Sequence, residues 1–388
     1  MDLGRASTYG AINSSPTIST LTLLSGKHES LQAELQRAVD KLVDLNPVLS
    51  GRVWQKAGQI LLEPKAHKEF LRTVEPPKDF EKFSMGDLEG LDLQGKVKFL
   101  QTLEQSLCSP MDGCFTLGHG SQVFLVELLS LGSSIHVLAV HLSHIVGDIR
   151  TLYDLVGQLN ALMRGEAPVP LIWDSDLRLS FDLFPSSLSE KDRRKLQWGI
   201  LGWMVQKLCG PKRLSRVALL SKPKLAAKKQ ELKDGASFLS SNDVISAALS
   251  RAIRGSDIMN LAVNMREGGQ RLAGNFWQTV ALDHEAAKDP NAIRQHLPKR
   301  QFFKTDEMPL WPYAFGRYSF VTNWTACTCH LSIPGLTVRC HLPHSNFLKG
   351  TPTNVAVIFH VDAENLGLSH NVPPSNLDTT GLLGALML

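Results

Sequence analysis

His144 and Asp148 are the two side chains of this sequence best placed for acid–base chemistry. They lie in the run Ser143-His144-Ile145-Val146-Gly147-Asp148, where an apolar stretch gives way to a helical pattern. A neutral imidazole that titrates near neutrality is the usual general base. Residues 135–142 are crowded with apolar side chains, and β-branched Ile135, Val137 and Val140 favour a strand. From Leu152 the pattern changes to Leu155, Val156, Leu159 and Leu162, which is helical spacing. His144 is therefore expected at a strand end, where side chains reach into clefts. Asp148 is expected just before a helix, where a carboxylate accepts hydrogen bonds from open amide groups. The same two residues also fit a hydrogen-bonded structural histidine and a plain helix cap, because so short a spacing recurs by chance.

The chain has 388 residues, more than one hydrophobic core usually supports, so two domains are expected. A composition of 43% hydrophobic and 20% charged residues is that of a soluble globular protein. No secretory signal or membrane span is legible, and six cysteines without such a signal suggest reduced thiols in a cytoplasmic protein. The net charge of +4 is too small to argue for nucleic acid. Its distribution is uneven: residues 190–234 carry 13 Lys/Arg against four acids, while the remainder of the chain sums to −5. Such a basic stretch is either a solvated linker or a surface for a phosphate-bearing partner. No nucleic-acid motif accompanies it.

Taken in order, the first 20 residues are small and polar, with little to anchor them. Leu31, Leu35, Ala38, Val39, Leu42 and Val43 form one helical face that ends at Asn46-Pro47. Residues 52–62 read as a hairpin around Lys56-Ala57-Gly58, residues 78–92 as a surface loop, and residues 95–107 as a short helix. Residues 123–129 and 135–142 read as paired strands. A proline-bearing crossing segment follows. Then come a capped helix opening at Ser240-Ser241-Asn242-Asp243, strands near 259–265, 318–324 and 355–361, and a terminal helix from about 363. Strands and helices mix in both halves, as in two α/β domains. The expected division is 1–170, a basic crossover over 171–234, and 235–388.

Six stretches then agree in order with one family. They are residues 46–53 (NPVLSGRV), 143–148 (SHIVGD), 240–251 (SSNDVISAALSR), 263–266 (VNMR), 274–276 (GNF) and 321–324 (VTNW). In these the chain resembles the BAHD-type acyltransferases, within the CoA-dependent superfamily that includes chloramphenicol acetyltransferase. The resemblance implies two similar domains, each a mixed β-sheet with helices, and a solvent channel between them with the histidine at its centre. It implies acyl transfer from a CoA thioester to a small alcohol or amine, with His144 as general base and no covalent acyl-enzyme. Acyl-CoA is then a co-substrate, no cofactor is held permanently, and the protein works as a monomer. Thr322 is expected to stabilise the oxyanion and Trp324 to shape the pocket. Asp148 is expected to be structural and paired with Arg266. Lys212, Arg213, Lys233, Ser240 and Ser241 are the candidates for CoA contact. Two departures stand out. The glycine that usually follows the aspartate is replaced by Ile149, with Gly147 before Asp148 instead, and residues 333–337 (IPGLT) occupy the place of the DFGWG signature.

Two other readings compete. A relative that binds acyl-CoA or another small ligand without turnover would fit the two departures. A zinc-binding module is the other, since Cys327, Cys329 and His330 are followed by Cys340, His341 and His344. The single residue between Cys327 and Cys329 is too short for an ordinary zinc pair, so no metal is expected. His141, three positions before His144 along a strand pattern, is expected to face the opposite way.

Overall fold

The structure is a computed structural model that describes residues 2–5, 17–56, 59–64, 69–107, 121–173, 213–233, 238–266, 271–297, 311–345, 348, 351 and 353–388. The chain forms two compact units. The first comprises Met1–Asp182, Glu267–Asn275 and Cys327–Phe347, and the second Leu183–Arg266, Phe276–Ala326 and Leu348–Leu388. Two later segments thus return to the first unit. Among the described residues no helix is long and apolar enough to cross a membrane.

Strands are numbered along the chain. The first unit holds β1 (Asp2–Arg5), β2 (Ile18–Ser25), β3 (Gly51–Lys56), β4 (Gln59–Pro64), β5 (Leu71–Val74), β6 (Ser121–Gln122), β7 (Phe124–Leu131), β8 (Ile135–Leu142) and β13 (Thr337–Pro343). They make a sheet ordered β13-β2-β8-β7-β5 and a smaller one ordered β1-β4-β3-β6. Every residue of β2 and of β8 is buried, so the apolar run of β8 marks a central strand. Among the first 20 residues, nearly all those described are paired into sheets, which their composition does not suggest. β1 pairs with β4, and β2 runs antiparallel between β13 and β8. The polar residues that disguised β2 are satisfied across the sheet: Ser19 meets His141, and Thr22 meets His341.

Four helices accompany these strands: α1 (Leu31–Leu45), α2 (Met85–Glu89), α3 (Leu93–Leu103) and α4 (Ile149–Met163). The apolar face of α1 is buried, and α1 packs on α4. α2 lies where a loop was expected. Ser84 and Asp87 form a reciprocal capping box that starts it. Asn46, wholly buried at the end of α1, ties three segments together. Its Nδ2 donates to Leu42 O at 2.9 Å and Gln158 Oε1 at 2.7 Å, and its Oδ1 accepts from Trp173 Nε1 at 3.0 Å. Beneath α4, His341 Nδ1 lies 2.9 Å from Thr22 Oγ1 and its Nε2 lies 2.8 Å from the Tyr153 hydroxyl. That relay binds the helix to the sheet.

The second unit is one sheet ordered β11-β10-β12-β14-β15-β9. Its strands are β9 (Arg216–Leu220), β10 (Ile258–Asn264), β11 (Trp277–Asp283), β12 (Tyr318–Asn323), β14 (Asn354–His360) and β15 (Leu366–His370). β12 is parallel to both of its neighbours. Helices α5 (Lys222–Glu231), α6 (Ser241–Ala252), α7 (His284–Lys288) and α8 (Pro290–His296) cover one face. Met259, Leu261, Val280, Val321, Ala356 and Leu368 point into that core beside Val244, Ala248 and Ile293. β15 corrects the expected terminal helix. Asp362 Oδ1 accepts from the amides of Glu364 (2.8 Å) and Asn365 (2.7 Å), and this turn folds the chain back into a hairpin with β14. Gly367 then lets the Phe359 ring approach: an added Cβ would lie 2.3 Å from its Cζ.

Candidate active site

The first unit positions His144 from both sides of a tight turn. β8 ends at Leu142, Ser143 N donates to Val123 O at 2.8 Å, and the amides of Val146 and Gly147 return to Ser143 O at 3.0 and 3.3 Å. The chain enters α4 at once. Asp148 is the N-cap, and its Oδ1 accepts from Thr151 N at 3.0 Å and Thr151 Oγ1 at 3.1 Å. Gly147 answers a packing demand. A Cβ there would meet Leu142 Cδ2 and Thr151 Cγ2 at 2.9 Å, so any larger residue would have to push these side chains aside. Ile149 can take the position after Asp148 because it is simply the first residue of the helix, half-buried.

His144 is half-buried, whereas its neighbours Ser143, Ile145 and Asp148 are buried. Asn275, 131 residues away in sequence, lies against it. The His144 Nδ1 is 3.0 Å from Asn275 Oδ1, and Asn275 Nδ2 donates to His144 O at 2.7 Å. Burial holds the imidazole below the ordinary histidine value. Its own carbonyl, the Asp148 charge and the Asn275 contact oppose that shift without reversing it. The ring is therefore neutral at pH 7. His141 differs: both nitrogens are committed, Nδ1 to Ser19 Oγ at 2.8 Å and Nε2 to Glu127 Oε2 at 3.0 Å, and the residue is buried. It cannot serve as a base in solution chemistry while so engaged.

Thr322 and Trp324 belong to the second unit. Val321 points into the helix-covered core, so Thr322, one position on, takes the opposite face of β12 beside Val357. Thr322 is 8% exposed and Trp324 2%, and Trp324 N donates to Ile358 O at 2.8 Å. Arg266 is buried, lies over the Phe276 ring at 4.9 Å and donates through Nη1 to Asn264 Oδ1 at 3.1 Å.

The candidate CoA contacts are scattered within that unit. Lys212 falls outside the described residues. Arg213 donates to Asn354 Oδ1 at 2.6 Å, Lys233 is exposed just beyond α5, and Ser240 caps α6 in a capping box with Asp243, with Ser241 following as its first residue. Part of the basic stretch is structural: Lys224 Nζ donates to Met387 O at 2.6 Å, and Lys228 pairs with Glu231.

No protein-family profile and no curated protein matches the chain. Solved structures do. The first condensation domain of the CDA synthetase superposes with a TM-score of 0.62 at 14% identity, covering 98% of this chain and 93% of that one. TRI101 of F. sporotrichioides, complexed with coenzyme A and T-2, gives 0.62 at 13%, covering 95% and 94%. A variant of the starter condensation domain of rhizomide synthetase RzmA, in complex with C8-CoA, gives 0.59 at 14%, covering 97% and 89%. The chain has the chloramphenicol acetyltransferase-like fold. At these identities the likeness is one of architecture, reached by a strongly divergent sequence.

Among the described residues, several cysteines and histidines of 327–344 engage other groups. Among the described residues no three His, Cys, Asp or Glu side chains gather as a metal site. His341 serves the Thr22–Tyr153 relay and His344 Nδ1 pairs with Glu104 at 2.7 Å. Cys329 accepts from Asn160, and burial pushes the Cys327 thiol up to about 12. Two residues that touch the His144–Asp148 turn, Thr151 and Asn275, had no assigned role in the sequence. Thr151 stands three residues after Asp148, the spacing between an N-cap and the amide it accepts from. Asn275 gave no signal beyond its place in the GNF stretch.

Proposed function

We propose that this protein is an acyl-CoA-dependent acyltransferase in which His144 Nε2 is the general base. The observation that carries the reading is the state of the ring: half-buried, neutral, and held through Nδ1, so that the proton-accepting nitrogen is Nε2. An alcohol or amine acceptor gives its proton to Nε2 as its oxygen or nitrogen bonds to the thioester carbonyl carbon. The tetrahedral oxyanion then collapses, the C–S bond breaks, and the protonated His144 returns the proton to the departing thiolate. Thr322 is assigned to the oxyanion and Trp324 to the pocket wall. Asp148 orients the turn, with Arg266 as its partner. Arg213, Lys233, Ser240, Ser241 and Lys212 remain candidates for contacts to CoA. TRI101 and the RzmA domain, both solved with CoA species, support CoA as the donor carrier.

The test is thiol release from acetyl-CoA with a panel of small alcohols and amines. Wild type should release CoA with at least one acceptor, and His144→Ala should lower that rate by about 10²- to 10⁴-fold. Equal release by the variant would remove His144 from the chemistry.

A further inference from the structure

The segment that returns to the first unit ends in Gly274-Asn275, and these two residues hold the catalytic turn at three points. Asp148 N donates to Gly274 O at 3.1 Å, Gly274 N donates to Thr151 Oγ1 at 3.0 Å, and Asn275 contacts His144. Gly274 has φ of 138°, a conformation that side-chain-bearing residues rarely adopt. The segment is pinned upstream as well: Ala273 N donates to Ile172 O, and Ile172 N donates to Arg271 O, both at 2.9 Å.

The orientation of the Asn275 amide follows from its neighbours. One end faces the carbonyl oxygens of His144 (2.7 Å) and Ile145 (3.4 Å), which can only accept, so that end is Nδ2. The other end is then Oδ1, which can only accept from the His144 ring at 3.0 Å. The ring nitrogen facing it must carry hydrogen. We propose that Asn275 is a positioning residue that fixes the Nδ1–H tautomer and the plane of the His144 ring, with Gly274 and Thr151 holding it in register. A base whose proton can move between its two nitrogens presents a lone pair only part of the time. Asn275, beside the His144 carbonyl that also favours a protonated ring, reduces that ambiguity without adding a charge. Asp148 is the charged group that bears on the ring.

The effect on rate rests on His144 being the base, but the tautomer does not, so it is read directly. Protein with isotopically labelled histidine, without substrate, is followed by NMR across pH, and the His144 signals are assigned by their loss in His144→Gln. Wild type should show one neutral tautomer, Nδ1–H. Asn275→Ala should show both tautomers and lower kcat for acetyl-CoA turnover about tenfold with KM unchanged. Asn275→Asp keeps the acceptor facing the ring but loses the donor to the His144 and Ile145 carbonyls, so it should retain Nδ1–H while raising the His144 pKa by about one unit or more, at some cost to the stability of the turn. If the alanine variant does not fold, the aspartate variant decides. A single Nδ1–H tautomer and an unchanged pKa in Asn275→Ala, or no pKa rise in Asn275→Asp, would overturn the assignment. Absence of turnover in wild type would refute the acyltransferase reading and leave the tautomer result standing.

Discussion

Acidification should destabilise the second unit in part through His370. This residue sits on β15, 3% exposed, directly across the ladder from Arg216 on β9. Its Nδ1 has no hydrogen-bond partner among the described residues. Burial first, and then the Arg216 charge, lower its pKa from the ordinary 6.5 to about 4. The unfolded chain therefore binds a proton earlier than the native one as pH falls. The stability from keeping His370 neutral is complete above pH 6.5 and is lost as pH falls towards 4. At 1.36 kcal/mol per unit, the loss is about 2 kcal/mol on going from about pH 7.5 to about pH 5, and about 3 kcal/mol below pH 4. Urea unfolding at those two pH values, for wild type and His370→Gln, isolates this group, because other titrations cancel in the difference of differences. The variant should lose about 2 kcal/mol less than wild type. Parallel losses in the two proteins would show that the ring is hydrated or otherwise satisfied, and would refute the reasoning.

Gly147→Ala should destabilise the protein by about 1–3 kcal/mol, read from urea melts, because its Cβ would press on Leu142 and Thr151 at 2.9 Å. Since Thr151 is the residue that Asp148 caps, the variant should also slow acetyl-CoA turnover. Undiminished stability would mean that the turn has room to spare. Thr322→Val keeps the branched shape of the strand residue and removes its hydroxyl. Turnover should fall about 10²- to 10³-fold with KM for acetyl-CoA little changed, and full activity would dismiss the residue as oxyanion donor.

What could be read from sequence followed the periodicities. α1 and α4 showed themselves through apolar residues at helical spacing, and β8 through an unbroken apolar run, because burial on one stripe or on both faces leaves that trace. The hairpin β3–β4 and the strands β10, β12 and β14 were visible for the same reason. β2 was hidden because its buried residues, on both faces, include Ser19, Thr20 and Thr22. Their polarity reads as loop until the histidines that satisfy two of them are in place. β9 was masked by the lysines around it, and β15 by an apolar spacing equally compatible with a helix. In those cases the deciding contact lies across a sheet, in a residue the local pattern does not contain.

The two histidines of residues 141–144 make the same point about the site. Along the chain they are three residues apart and equivalent in type. His141 ends on a buried sheet face where Glu127 and Ser19 occupy both nitrogens, and Arg72 answers Glu127 from β5. A charged, unpaired carboxylate at that depth would cost several kcal/mol, so the group of three is retained as a unit and its imidazole is unavailable to a substrate. His144 lies two residues past the strand end, on a turn where Gly147 packs closely against Leu142 and Thr151, and keeps partial access to solvent. Its ring is met by Asn275, which arrives from a distant part of the chain. A spacing motif can therefore nominate a base by position, while its protonation state is decided by partners that the motif does not include.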